Sequence, residues 1–225
     1  MNSGWRTLGA SVIAGLFALA VSAHAWPQSP ADGDDFQVTL LGTGSPPPVM
    51  NRFGPGVLVQ AGGQTLLIDC GRGVTQRLFQ LGVKLGTANK LFITHLHSDH
   101  IVGIPDLWLT GWLETPFAQR KGAFQVFGPA GTRNMMESLE KAYEWDIRTR
   151  IADQKLANEN IAVSVTEIKE GVVYDRDGVK VTAFEVDHGD LIKPAFGFRI
   201  DYGGRSAVVS GDTRFSENLI RNATG

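Results

Sequence analysis

An apolar run, Leu91-Phe92-Ile93, leads directly into Thr94-His95-Leu96-His97-Ser98-Asp99-His100. The run, with Lys90 and Thr94, has the length and character of a buried strand. Any fold of this chain must therefore bring three imidazoles and a carboxylate together at one strand end. In extended backbone, side chains two apart share a face, so His95, His97 and Asp99 point the same way and His100 points away. A helix starting near Ser98 swings His100 back, and four donors then surround a space large enough for two ions. Imidazole plus carboxylate is the donor set of zinc and related transition metals. The whole chain has five histidines, and three lie in this loop.

The surrounding pattern is one of short strands punctuated by glycine. Strands are expected over 36–41, 56–60 and 65–70, the last two forming a hairpin around Gly62-Gly63. A short amphipathic helix follows over 74–81. After the histidine loop, a helix is expected over 101–113, broken by Pro105, and then a strand over 124–129. The pattern over 132–143 is helical, with Thr132 as N-cap. Strands are expected over 161–168, 172–174, 179–186, 195–202 and 206–210, and a helix begins at 215. Gly42-Thr43-Gly44-Ser45 lacks the spacing of a phosphate-binding loop and reads as a tight turn after an edge strand.

Two further residues stand at strand ends, where loops present chemistry. His188 follows the 179–186 strand and Asp212 follows the 206–210 strand. Every histidine except His24 is then a candidate ligand. Trp108 and Trp112, four apart beside the histidine loop, read either as core or, with Phe117, as a substrate entrance. The single cysteine, Cys70, lies in an apolar strand and is expected to be buried and inert rather than a ligand.

Residues 1–25 have one basic residue, an apolar run over 8–21 and an Ala-x-Ala site, Ala23-His24-Ala25, before Trp26. That is the layout of a secretory signal peptide. It implies a periplasmic or secreted protein with no stable membrane anchor after cleavage. A polar linker over 26–35 follows. Cleavage would remove Arg6 and no acid, moving the formal charge from -2 to one unit more negative. An acidic exported chain has no electrostatic footprint for nucleic acid, so none is expected as a partner.

Taken in order, these segments resemble the metallo-β-lactamase-fold hydrolases over roughly 37–222. The carriers are the His-x-His-x-Asp-His loop, Asp69-Cys70-Gly71, His188 and Ser210-Gly211-Asp212-Thr213. Leu41-Gly42-Thr43-Gly44-Ser45 and Ala195-Phe196-Gly197-Phe198 are most similar to the ribonuclease Z and arylsulfatase-like branch. The resemblance implies an α/β chain folded as a four-layer αββα sandwich over 36–225. It implies two zinc ions, with manganese or iron(II) as alternatives. His95, His97 and His188 would hold one ion, Asp99 and His100 the other, and Asp212 would bridge them. A hydroxide between the ions would be the nucleophile, oriented by Asp99. Asp69 would sit behind a ligand imidazole and fix its tautomer.

The family also carries a metal-binding histidine downstream of the Gly-Asp-Thr, and no histidine follows His188 here. The expectation is a fragment lacking the C-terminal part of the fold. The functional expectation is an exported metal-dependent hydrolase of a small-molecule ester (phosphodiester, sulfate ester or lactone-like), possible as a homodimer. The alternative is a metal-binding but catalytically silent member or truncated fragment of the fold.

Overall fold

The computed structural model describes residues 35–224. The expected signal peptide and nearly all of the linker lie outside the described residues. Among the described residues, ten strands form two sheets. The first sheet runs in the order β1 (Phe36–Gly42), β2 (Gly56–Ala61), β3 (Gln64–Ile68), β4 (Lys90–Phe92), β5 (Phe124–Gly128), β6 (Val163–Glu167). Its first three strands are antiparallel and its last four, from β3 on, are parallel. The second sheet is an antiparallel meander, β7 (Gly171–Arg176), β8 (Val179–Val186), β9 (Ala195–Tyr202) and β10 (Arg205–Val209).

The central strands of the first sheet are apolar on both faces, as strands covered on both sides must be. Leu58, Leu67, Leu91 and Val126 face outward under helices α1 (Val74–Gln80), α3 (Ile104–Gly111), α4 (Thr132–Ala142) and α5 (Glu144–Gln154). Val59, Leu66, Ile68 and Phe92 face inward against Val181, Ala183, Phe196, Phe198 and Ile200 of the second sheet. Phe92 organises this inner layer: its ring stacks on Phe127 at 4.7 Å and meets Tyr174 and Phe198 edge-on. The outer face of the second sheet carries α7 (Glu217–Ala223), capped by Ser216, whose Oγ accepts from the Leu219 N–H. The layers are therefore α, β, β, α, as expected. Among the described residues no helix is long and apolar enough to cross a membrane.

Three local expectations are corrected. Pro105 does not break a helix. It lies in the first turn of α3, where its missing N–H costs no hydrogen bond, and a separate one-turn helix, α2 (Ser98–Ile101), precedes it. Thr132 is not the N-cap of α4. Gly131, at φ 100°, takes that place, and the Glu167 carboxylate accepts from the Gly131 and Arg133 N–H groups instead. The strand expected over 161–168 is shorter, β6 beginning at Val163, and the charged stretch before it holds α5 and the one-turn α6 (Asn158–Ile161).

Trp108 and Trp112 belong to the outer core. Both are almost fully buried, and their indole N–H groups donate to the Ile161 and Ala157 carbonyls. Phe117 packs edge-on against Phe79 at 5.6 Å. The two tryptophans are too buried to meet a substrate, so they do not line an entrance, while Phe117 is half-buried and packs against the outer core. The i,i+4 spacing lies on the buried stripe of α3, and a Trp pair there fills the space between helix and sheet. Arg120 closes the same region. Its buried guanidinium donates to the Leu107, Trp108 and Asn160 carbonyls and lies over the Phe124 ring, and burial brings its pKa down to about 10.

Candidate metal centre

The six candidate ligands come from three loops at one edge of the sandwich. The loop after β4 brings His95 and His97, and α2 brings Asp99 and His100. The loop after β8 brings His188, and the loop after β10 brings Asp212. The turn into α2 at Ser98, with His97 extended at φ -66°, ψ 144°, rotates His100 to the same side as His95. Their ring centroids are 4.1 Å apart.

Asp69 anchors this half of the site. It follows β3 in a left-handed conformation, φ 58°, which is costly for a residue with a Cβ and persists only where surroundings enforce it. Its carboxylate accepts from the Thr94 N–H and Thr94 Oγ1–H, both at 2.8 Å, and from His100 Nδ1 at 2.7 Å. The next residues lace the same segment to α2: Cys70 N–H donates to the His100 carbonyl at 2.8 Å. A Cβ on Gly71 would stand 2.4 Å from the Asp99 carbonyl oxygen, so only glycine permits this approach. Cys70 itself is buried. Desolvation, with smaller contributions from Asp106 and Asp69, pushes its thiol well above the ordinary range, which leaves it protonated and inert.

Thr94 is the joint between the sheets, and its sequence context gave no sign of this role beyond its place at a strand end. It donates to Asp69, and its carbonyl accepts from the Phe196 N–H of β9 at 2.9 Å. Its side chain packs where a Cβ on Gly211 would stand, at φ 62°, which sets the turn that presents Asp212. Because Thr94 Oγ1 spends its proton on Asp69, it accepts from His95 Nδ1 at 3.0 Å. His95 and His100 are therefore both Nδ1–H tautomers with Nε2 lone pairs turned into the site.

Two groups of donors converge. His95 Nε2 and His188 Nε2 lie 3.0 and 3.2 Å from His97 Nδ1. Nitrogens bound about 2.0–2.1 Å from one tetrahedral ion stand close to that far apart. The second group comprises His95, His100 and Asp212. Asp212 Oδ1 is 3.6 Å from His100 Nε2, its Oδ2 is 4.0 Å from His188 Nε2, and Asp99 Oδ2 is 3.8 Å from His100 Nε2. Asp212 thus faces both groups. His100 Nε2 is buried with no hydrogen-bond partner. An orphaned lone pair between two carboxylates is a poor arrangement for protein atoms alone and a good one for a cation. The residues fit a divalent metal.

Electrostatics separate the two buried imidazoles. Burial, then the neighbouring His100, His188 and His97, bring the His95 pKa down to about 3. Burial also works to lower that of His100, but the Asp69 hydrogen bond and the charges of Asp69, Asp212 and Asp99 outweigh it and raise it. The loops of the second sheet are tied to each other. The Asp187 carbonyl accepts from the Arg214 N–H at 2.7 Å and from Thr213 Oγ1 at 3.3 Å. Arg214 then lies over Gly189, beside His188, and was not singled out by the sequence.

Two facing sheets with this histidine and aspartate cluster at one edge define the metallo-β-lactamase fold and its metal-dependent ester hydrolases. The YhfI protein of Bacillus subtilis has that fold and superposes with a TM-score of 0.62 at 20% identity, covering 82% of this chain and 66% of that one. Human tRNase Z, short form, superposes with a TM-score of 0.61 at 26% identity, covering 78% and 68%. The chain belongs to the ribonuclease Z-like proteins of this fold, and the family model that matches it, over residues 36–225, is described as Anti-Pycsar protein Apyc1. It is 45% identical over 189 residues to ribonuclease Z of Mycobacterium marinum, covering 84% of this chain and 67% of the relative. It is 43% identical to that of Mycolicibacterium gilvum, covering 84% and 65%. The chain thus spans about two thirds of the length of these relatives.

These relatives overturn one expectation. A small-molecule ester substrate with no nucleic acid does not agree with relatives named for ribonuclease activity and a neighbour named for tRNA. The inference from charge failed because a formal net charge of -2 sums the whole surface. Local charge can differ from that sum, and beside the candidate centre Arg214 and Lys193 are basic and exposed.

Proposed function

We propose that this protein is a metal-dependent phosphodiesterase acting on RNA. His95, His97 and His188 would hold one divalent ion, Asp99 and His100 a second, and Asp212 would span both. The observation that carries this reading is the convergence of imidazole nitrogens at 3.0 and 3.2 Å beside an orphaned His100 Nε2. Zinc is the first choice for so imidazole-rich a donor set, with manganese or iron(II) as alternatives. Bound there, the ions supply Lewis acidity and draw the pKa of water toward neutrality.

The chain's own residues do the rest. Asp69 holds the His100 Nδ1 proton and, through Thr94 Oγ1, fixes that of His95, so both Nε2 atoms stay unprotonated toward the site. Asp99 Oδ2, 3.8 Å from His100 Nε2, would accept a hydrogen bond from a water at the centre and orient it. Arg214, over Gly189, offers a guanidinium to a substrate phosphate. Export is part of the proposal and rests on the leader-like residues 1–25; N-terminal sequencing of the protein from its native host should then begin at Trp26.

The test is turnover of a single-stranded RNA oligonucleotide and of bis(p-nitrophenyl) phosphate by the full chain. Activity lost on chelation and restored by zinc or manganese supports the reading. Metal binding without turnover of either substrate supports a catalytically silent protein instead.

A further inference from the structure

A cavity of about 180 Å³ opens beside the candidate metal centre and shares His97 with it. Leu96 comes from the same loop, Pro129 from the end of β5, and Leu191, Lys193 and Pro194 from the loop between β8 and β9 that also carries His188. A larger cavity of about 320 Å³ lies against β1 and α1 and touches none of the candidate ligands.

The composition of the smaller cavity is unusual for its position. Leu191 is 94% exposed, next to Ile192, on a loop whose ends are held by β8 and β9. A leucine held in water adds nothing to the core, and an apolar wall beside a polar centre is the usual make-up of a ligand subsite. The N-terminus of α4 borders the cavity but is not free for an anion, since Glu167 already accepts from Gly131 and Arg133. The cavity therefore offers a largely apolar slot with the His97 imidazole and one ammonium, Lys193, in its lining.

We propose that this slot seats a nucleobase adjoining the scissile phosphodiester, packed between Leu191 and Pro194 on one side and Leu96 and Pro129 on the other. The proposal rests on the phosphodiesterase reading above and deepens it. Two features select this occupant. The cavity shares His97 with the candidate centre, so a group that fills it lies within reach of one held there. Lys193 complements a phosphate on the far side of the same nucleoside. His97 and Lys193 are the polar side chains lining the slot, so it would accept purines and pyrimidines alike and hold them by area rather than by hydrogen-bonding pattern.

The experiment is calorimetric titration of the zinc-loaded full chain with AMP and with ribose 5-phosphate, which lacks the base. The expected result is AMP binding about tenfold tighter, a difference of about 1.4 kcal/mol. Leu191→Ser, at a position too exposed to disturb folding, should bring AMP down to the affinity of ribose 5-phosphate and leave the latter unchanged. Equal affinities in the wild type, or an unchanged preference in L191S, overturn the proposal. An inactive protein that still prefers AMP keeps the slot and loses the phosphodiesterase reading. An active one with no preference does the reverse.

Discussion

The two sheets contribute to the candidate centre in different ways. Most donors from the first sheet are buried and over-determined: His95, Asp99 and His100 are buried while His97 is exposed, Asp69 holds His100 from behind with its own side chain 5% exposed, and Thr94, Cys70 and Gly71 tie that segment in place. Donors from the second sheet are more open: the His188 and Asp212 side chains are 23% and 50% exposed, held mainly by backbone hydrogen bonds between their loops. The contrast extends to the layers, since among the described residues four helices cover the first sheet and the short α7 covers the second. A pre-set wall facing a softer one suits the proposed RNA phosphodiesterase, which would hold ions firmly and still admit and release a polymer.

Four outcomes would break or sharpen that contrast. Trp112→Ala removes a buried ring from under the first sheet. It should cost about 3–5 kcal/mol in urea unfolding, while KM of the folded protein stays unchanged; a raised KM would return the tryptophan to the substrate path. Asp212→Asn should act in the opposite sense. Turnover should fall by roughly a thousandfold, since charge stabilisation by bound metal is worth several kcal/mol, with the unfolding midpoint unmoved. A large stability loss would show the second wall to be as rigid as the first.

Asp69→Asn should affect both readouts. Removing the partner of His100 Nδ1 should lower metal affinity about 10–100-fold, and the buried Thr94 contacts should cost a further part of the stability. If zinc affinity in equilibrium dialysis is unchanged, Asp69 does not set the tautomer. The smallest effect is on pH dependence after chelation. His95, depressed to about 3, takes up its proton only on unfolding, so the metal-free protein should lose stability as pH falls from about 6.5 toward 3. His100 is raised, so its contribution is present below about 6.5 and lost as pH rises through its folded value. Metal-free stability should therefore peak near pH 6.5, by at most about 1.4 kcal/mol per unit and per group. A flat urea profile would contradict the assigned environments.

Much of this was legible in the chain. The hairpin of β2 and β3 turned on Gly62-Gly63, and glycine-rich turns are local chemistry. The histidine loop, His188 and Asp212 were readable because metal donors are few and stood at strand ends. What was not legible depends on the other side of a contact. The tryptophan pair could be core or surface until α3 was seen to lie on the first sheet. Thr94 is one threonine among many until Asp69, Phe196 and Gly211 surround it. Leu191 looks like an ordinary loop residue until its exposure beside His97 is known. Substrate was misread because net charge is global and recognition is local.

The central claim is that loops of both sheets form a single two-ion centre. Zinc titration of the metal-stripped full chain, followed by calorimetry, tests it most directly. Two ions per chain should bind, with His97→Ala weakening the first and Asp212→Asn weakening both. Fewer than two ions per chain, or zinc binding indifferent to both substitutions, would contradict the account.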